Sequence, residues 1–319
     1  MKSRHAVNLF LFILPSVGTT QTYCLYKFND VKKTRRHPCK HEQAQWTLTT
    51  KRRKIMTEST LKKDSEFIKN NLRLKTSPVA IKFLAAGDAF PEKTRRPFSA
   101  LGKRIAICQA VTMARNYGWT VGMTKEDNIC VPAAIVFGFS DSQDPSASLS
   151  RLFTEINFSK NEACAIRETA SMSRFEKGEI AGIVAAPCDR AVFDPDVVVI
   201  YGNPAQMMRL SQAWSYMTGE RLSGHFGGKV ECDQYLIAPH KTQKPQIVIP
   251  GNGERIFAMT QDDEMVFAMP ARFIPDLIQG LNEAGKAVGS RYPVPPFPFF
   301  QPDFPKAHKD MGKEIGVLR

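Results

Sequence analysis

The sequence predicts a single α/β domain, or an α+β domain with a mixed sheet, between a basic N-terminal extension and an extended C-terminal arm. Three observations carry this. Short apolar, β-branched runs alternate with helix-like stretches from about residue 57 to residue 290 without a long linker. The 319 residues contain 43% hydrophobic and 24% charged side chains, which suits a globular core. Residues 197–219 read as a complete strand, turn and helix, the clearest such unit in the chain.

The elements follow in order. In the segment opening at Met56, Thr57 or Ser59 can cap a helix whose apolar positions Leu61, Ile68 and Leu72 share one face. Residues 78–84 (PVAIKFL) have strand composition, and residues 104–117 look like a strand end running into a helix. Residues 129–139 form a buried apolar element whose type periodicity leaves open. A helical region spans 151–169 and a short strand 180–185. Next come the strand VVVIYG and a helix that Gly219 ends. Strands at 246–249 and 264–269 precede a helix over 274–288, and Gly251-Asn252-Gly253 reads as a hairpin turn.

Three boundaries divide the chain. Residues 1–55 hold twelve Lys and Arg against Asp30 and Glu42, and no periodic apolar pattern organises them. Their opening superficially resembles a secretory signal, but Asn8, Pro15 and Ser16 interrupt the apolar run and no small-x-small cleavage site follows. The preferred reading is a non-folding extension, with the biological start at or near Met56. Residues 56–290 form the domain. Residues 291–319 form a tail in which six prolines and five aromatics alternate over 292–305, so that this stretch lies extended and packs on its own domain or on a neighbouring subunit.

Charge and hydropathy exclude two classes. The net charge of +13 falls to +3 once residues 1–55 are set aside, which argues against a nucleic-acid-binding body. No apolar run approaches the length of a helix that spans a bilayer, and the mean hydropathy of −0.27 agrees, so an integral membrane protein is not expected.

The order of several short stretches resembles the DUF169 family of prokaryotic proteins. They are PVAIKFL at 78–84, the CQAVTMAR helix from Cys108, CVPAAIVFGF from Cys130, YGNPAQMMRLSQAWSY from Tyr201, GGKVEC ending at Cys232, and the IPGNGERIFAMTQDDEMVFAMP block from Ile249. Together they span roughly residues 65–285. The resemblance implies a cytoplasmic bacterial or archaeal protein and assigns no chemistry.

The chemistry must come from the residues. Cys24 and Cys39 lie in the extension, and the body carries Cys108, Cys130, Cys164, Cys188 and Cys232 without any Cys-x-x-Cys spacing. An odd number of cysteines without a convincing export signal argues for thiols or ligands rather than disulfides. Cys108, Cys130, Cys188 and Cys232 each adjoin a turn or helix start, so loops meeting at one end of a sheet would assemble an iron-sulfur or zinc site; buried singly, each is a small apolar residue. His225, Cys232 and His240 form a weaker trio with no standard ligand spacing.

A second site is expected at the start of the helix after residue 202. Asn203 is placed to cap and Pro204 to occupy the first turn, leaving N–H groups near Ala205 and Gln206 for an anion, with Arg209 one turn on. Three functions remain. The preferred one is binding or conversion of a small anionic metabolite at Asn203, Pro204, Ala205, Gln206 and Arg209. The alternatives are a metal or iron-sulfur redox protein built on the cysteines, and an accessory protein or homo-oligomer that docks through its tail.

Overall fold

The computed structural model describes residues 58–298 and 302–318. The expectations for residues 1–55, with Cys24, Cys39 and a start at Met56, lie outside them.

Six strands form one sheet: β1 Val79–Leu84, β2 Val121–Met123, β3 Gly182–Pro187, β4 Val197–Gly202, β5 Gln246–Val248 and β6 Met265–Pro270. Their order is β2-β3-β1-β4-β6-β5. Every pairing is antiparallel, which corrects the expectation of a mixed sheet. The central strands are buried on both faces because helices cover both, so they read as continuous apolar runs rather than alternating ones. Lys82 is the polar exception in β1, and its ammonium pairs with Asp196 at 3.1 Å.

Strand parity sorts the core into two layers. Val79, Ile81, Val197, Val199 and Tyr201 face a layer holding α3 (Ile107–Tyr117), α4 (Val131–Val136), α5 (Pro145–Glu155) and α6 (Glu162–Ala170). Ala80, Val198 and Ile200 face α1 (Glu58–Leu72), α7 (Pro204–Thr218) and α10 (Ile274–Glu283). The first layer is completed by a π-helical turn, Asp233–Ile237. Gly280 lets α10 lie directly on α7, since a Cβ there would strike the Ala213 carbonyl.

Local signals explain the ends of α7. Asn203 accepts from the Gln206 N–H at 3.0 Å, Pro204 occupies the first turn, and Gly219 closes the helix at φ 73°. Elsewhere the boundaries shift. The apolar stretch 129–139 is a short helix, α4, whose preceding Ile129 and first residue Val131 are exposed. The helical region 151–169 is two helices, each started by an Asp or Asn cap, at Asp144 and Asn161. The helix expected over 274–288 ends at Glu283, followed by a single 3₁₀ turn. The Gly251-Asn252-Gly253 segment is no hairpin: it opens α9, Asn252–Phe257, with Glu254 accepting the Gly251 N–H at 3.0 Å.

The tail lacks helix and strand over 292–298, as its prolines require, and is tied down where the Tyr292 hydroxyl meets Asn203 Nδ2 at 2.8 Å. A last helix, α11, spans Lys306–Glu314, with Met311 exposed. No helix among the described residues is long and apolar enough to cross a membrane.

Candidate functional site

The helix start at Asn203 does not offer a ligand its side chains. Gln206 is 4% exposed; its Oε1 accepts from Asn203 N at 2.7 Å, and its Nε2 donates to the Leu72 carbonyl at 2.8 Å. Arg209 is 2% exposed and donates to the carbonyls of Ala284 and Leu281, each at 3.0 Å. Asn203 caps with one end of its amide and holds Tyr292 with the other. Pro204 and Ala205 complete the first turn beneath this contact. These groups bind the end of α1 and the C-terminal segments to α7, so the side chains of Gln206 and Arg209 are engaged in a structural junction.

The cysteines divide differently from the expectation. Cys188 follows β3 and lies with Ala186 in the layer facing α1 and α7, beneath the sheet from the others. Cys164 lies on α6. His240 packs its ring against Phe83 and Phe175, with centroids 4.8 and 5.6 Å away, while His225 is exposed. Cys108, Cys130 and Cys232 belong to the other face of the sheet, with α3 and α4. Cys130 packs against the small cluster of Ala106, Cys108 and Ala258 and against the main core cluster to which Cys232 belongs, and each of the three thiols feels the charge of Glu254.

Each member arrives from a separate segment. Cys108 is the second residue of α3, where the helix dipole favours negative charge. Its sulfur lies 4.0 Å from the Gly253 carbonyl. Cys130 caps the start of α4, and Asn128 clamps its backbone, accepting from its N–H at 3.2 Å and donating to its carbonyl at 2.9 Å. Cys232 immediately precedes the π-helical turn, a rare form that recurs at functional sites. Just upstream, Val230 sits at φ 59°, a left-handed conformation costly for a β-branched residue.

The polar surroundings are equally buried. Glu254 is 2% exposed, with one carboxyl oxygen on Gly251 N and the other 3.4 Å from the Tyr235 hydroxyl. Tyr235 stacks edge-on against Tyr201, and the Arg115 guanidinium lies 3.9 Å over the Tyr201 ring. Arg115 donates to both oxygens of Glu264, at 2.8 and 2.9 Å. Glu231 Oε1 accepts from the N–H groups of Gly227, Gly228 and Lys229, while Oε2 is buried without a partner.

Burial sets the proton affinities. It pushes all three thiols up, so each is protonated when nothing is bound. It also raises Glu254, and brings Glu231 and Asp233 to about 7. Glu264 goes the other way: burial opposes ionisation, but hydrogen bonds and the charge of Arg115 hold it below the ordinary carboxylate range. Among the described residues, no three His, Cys, Asp or Glu side chains stand close enough to hold one metal ion as arranged.

The α/β-type body with its buried thiol and carboxylate cluster now has a family. Residues 68–280 match the DUF169 model, described as an uncharacterised ArCR, and the chain belongs to that family. Cys108, Cys130, Cys232 and Glu254 all lie inside the match. An uncharacterized protein of Methanocaldococcus jannaschii, MJ0308, is similar at 27% identity over 206 residues, covering 64% of this chain and 86% of that protein. No solved structure matches the chain.

Glu254, Tyr235 and Arg115 were not among the residues singled out from sequence, yet two of them carried a signal. Cys108, Thr112 and Arg115 fall at i, i+4 and i+7 of one helix and are all buried, so the polar pair marks the face that Cys108 shares. Glu254 stands three residues after Gly251, the spacing by which a carboxylate satisfies the N–H before a helix.

Proposed function

We propose that this chain is an iron-sulfur redox protein in which Cys108, Cys130 and Cys232 supply thiolates and Glu254 is the fourth donor. The observation that carries the reading is that thiols from three separate segments and the buried Glu254 carboxylate lie near enough to raise one another's proton affinity. A cluster spreads its ligands over several irons, so its thiolates need not all meet at one ion. Binding would replace the thiol protons with metal charge, relieving the cost that burial places on each thiolate. Cys130, half-buried, is the most exposed of the three thiols.

The test is anaerobic purification followed by iron and acid-labile sulfide analysis. Near-stoichiometric iron and sulfide are expected, lowered by Cys108→Ser, Cys130→Ser and Cys232→Ser but unchanged by Cys164→Ser. Glu254→Gln should leave the thiolates in place but change the iron count or the spectrum of the centre. Zinc without sulfide, or protein free of metal, would refute the cluster.

A further inference from the structure

At the end of α3 away from Cys108 lies an open polar cleft of about 360 Å³, within the range of small-molecule sites. It is bounded by the turn between α1 and β1, the end of α3, and the residues after β3. Lys69, Lys75, Ser77, Asn116, Asp189 and Arg190 line it.

Arg190 is seated rather than loose. Its Nη1 donates to the Gly118 carbonyl at 3.3 Å, and a Cβ on Gly118 would stand 2.6 Å from that nitrogen. Gly118 is favoured for its φ of 70°, and its lack of a Cβ lets the guanidinium lie close to the backbone. One N–H is used in this contact, and the planar fork retains others for an acid group.

Three groups at the cleft are incompletely used. Among the described residues neither Lys69 nor Arg190 has a carboxylate within ion-pair distance, and Lys69 reaches only Ser77 Oγ at 3.4 Å. Lys75 is neutralised by Asp263 at 3.2 Å. Asp189 has its Oδ1 buried without a hydrogen-bond partner. Among the described residues, two cations without a carboxylate partner and a carboxylate oxygen without a donor thus line one cleft, which suits a ligand with both signs of polarity.

The helix ends that meet here would also attract cations to their carbonyls. That accounts for Arg190 on Gly118, but Lys69 turns to a hydroxyl instead, and nothing at the helix ends answers Asp189.

We propose that this cleft binds a small dipolar metabolite, with its phosphate or carboxylate on Lys69 and Arg190 and its ammonium or hydroxyl group donating to Asp189. The site is separate from the thiols and stands whether or not they hold a cluster.

Calorimetry on the full chain with O-phosphoserine, aspartate and inorganic phosphate as probes tests it. At least one dipolar probe should bind more tightly than phosphate, and Lys69→Gln and Arg190→Gln should each weaken it tenfold or more. Asp189→Asn should weaken the dipolar probe while leaving phosphate unchanged. Thermal melts of each variant show whether it folds like wild type. Failure of both dipolar probes to bind at millimolar concentration would overturn the proposal, as would binding that survives Arg190→Gln and Asp189→Asn in folded protein.

Discussion

Replacing Glu264 with Gln should cost more stability than any surface change in this protein. The Arg115 and Glu264 side chains are 1% and 6% exposed, and both guanidinium N–H groups that reach the carboxylate do so at 2.8 to 2.9 Å. Glutamine keeps one acceptor but points an amide N–H at the guanidinium, leaving a buried positive charge over the Tyr201 ring without its counter-charge. Breaking a buried pair in this one-sided way costs about 3–5 kcal/mol. At this chain length each kcal/mol is worth roughly 2–4 °C, so the melting temperature at pH 7 should fall by roughly 6–20 °C. The pH dependence has a definite sign. Because Arg115 holds Glu264 below the usual carboxylate range despite burial, its contribution is present above the unfolded value of about 4.3 and is lost as pH falls through the lower folded value. The gap between wild type and Glu264→Gln, read by circular dichroism melts, should therefore be full at pH 7 and close in acid. A variant melting within about 2 °C of wild type at pH 7 would refute the reasoning, since that is what an exposed pair gives.

Two further changes probe the frame. Gln206→Ala removes the donor to the Leu72 carbonyl and the acceptor for Asn203 N, and should destabilise by about 1–3 kcal/mol in chemical denaturation, where a merely exposed glutamine would cost nothing measurable. Gly280→Ala drives a methyl into the Ala213 backbone and should cost about 1–3 kcal/mol by forcing α10 off α7; an unchanged melting temperature would mean the helices are not in contact there.

What the sequence made legible follows from how local each signal is. The unit from Val197 to Gly219 could be read because an apolar run, an Asn-Pro start and a Gly stop all lie within one segment. Strand direction could not, since double-sided burial by helices gives β1 and β4 the apolar continuity usual in parallel sheets, although their pairing is antiparallel. The cysteines show both outcomes. Cys108, Cys130 and Cys232 flank turns and helix starts on one layer, whereas Cys188 follows a strand whose parity decides its side. Ala185 faces one layer and Ala186 the other, so placing the strand end one residue away reverses the reading. At α7, the same Asn203 and Gln206 that favour an anion site in sequence turned out to satisfy each other, a pairing invisible until Leu72 and Tyr292 are seen closing over them. Glu254 was hidden by the hairpin-like Gly251-Asn252-Gly253 string, whose first glycine is the cap of a helix.

X-ray absorption at the iron edge on anaerobically prepared full-length protein tests the cluster reading most directly. It should show iron surrounded mainly by sulfur with a second iron nearby, and the sulfur signal should weaken in Cys108→Ser, Cys130→Ser and Cys232→Ser but stay as it is in Cys188→Ser, on the opposite face of the sheet. Iron bound only to oxygen and nitrogen, or an unchanged spectrum in all three variants, would contradict the assignment of these thiols to one centre.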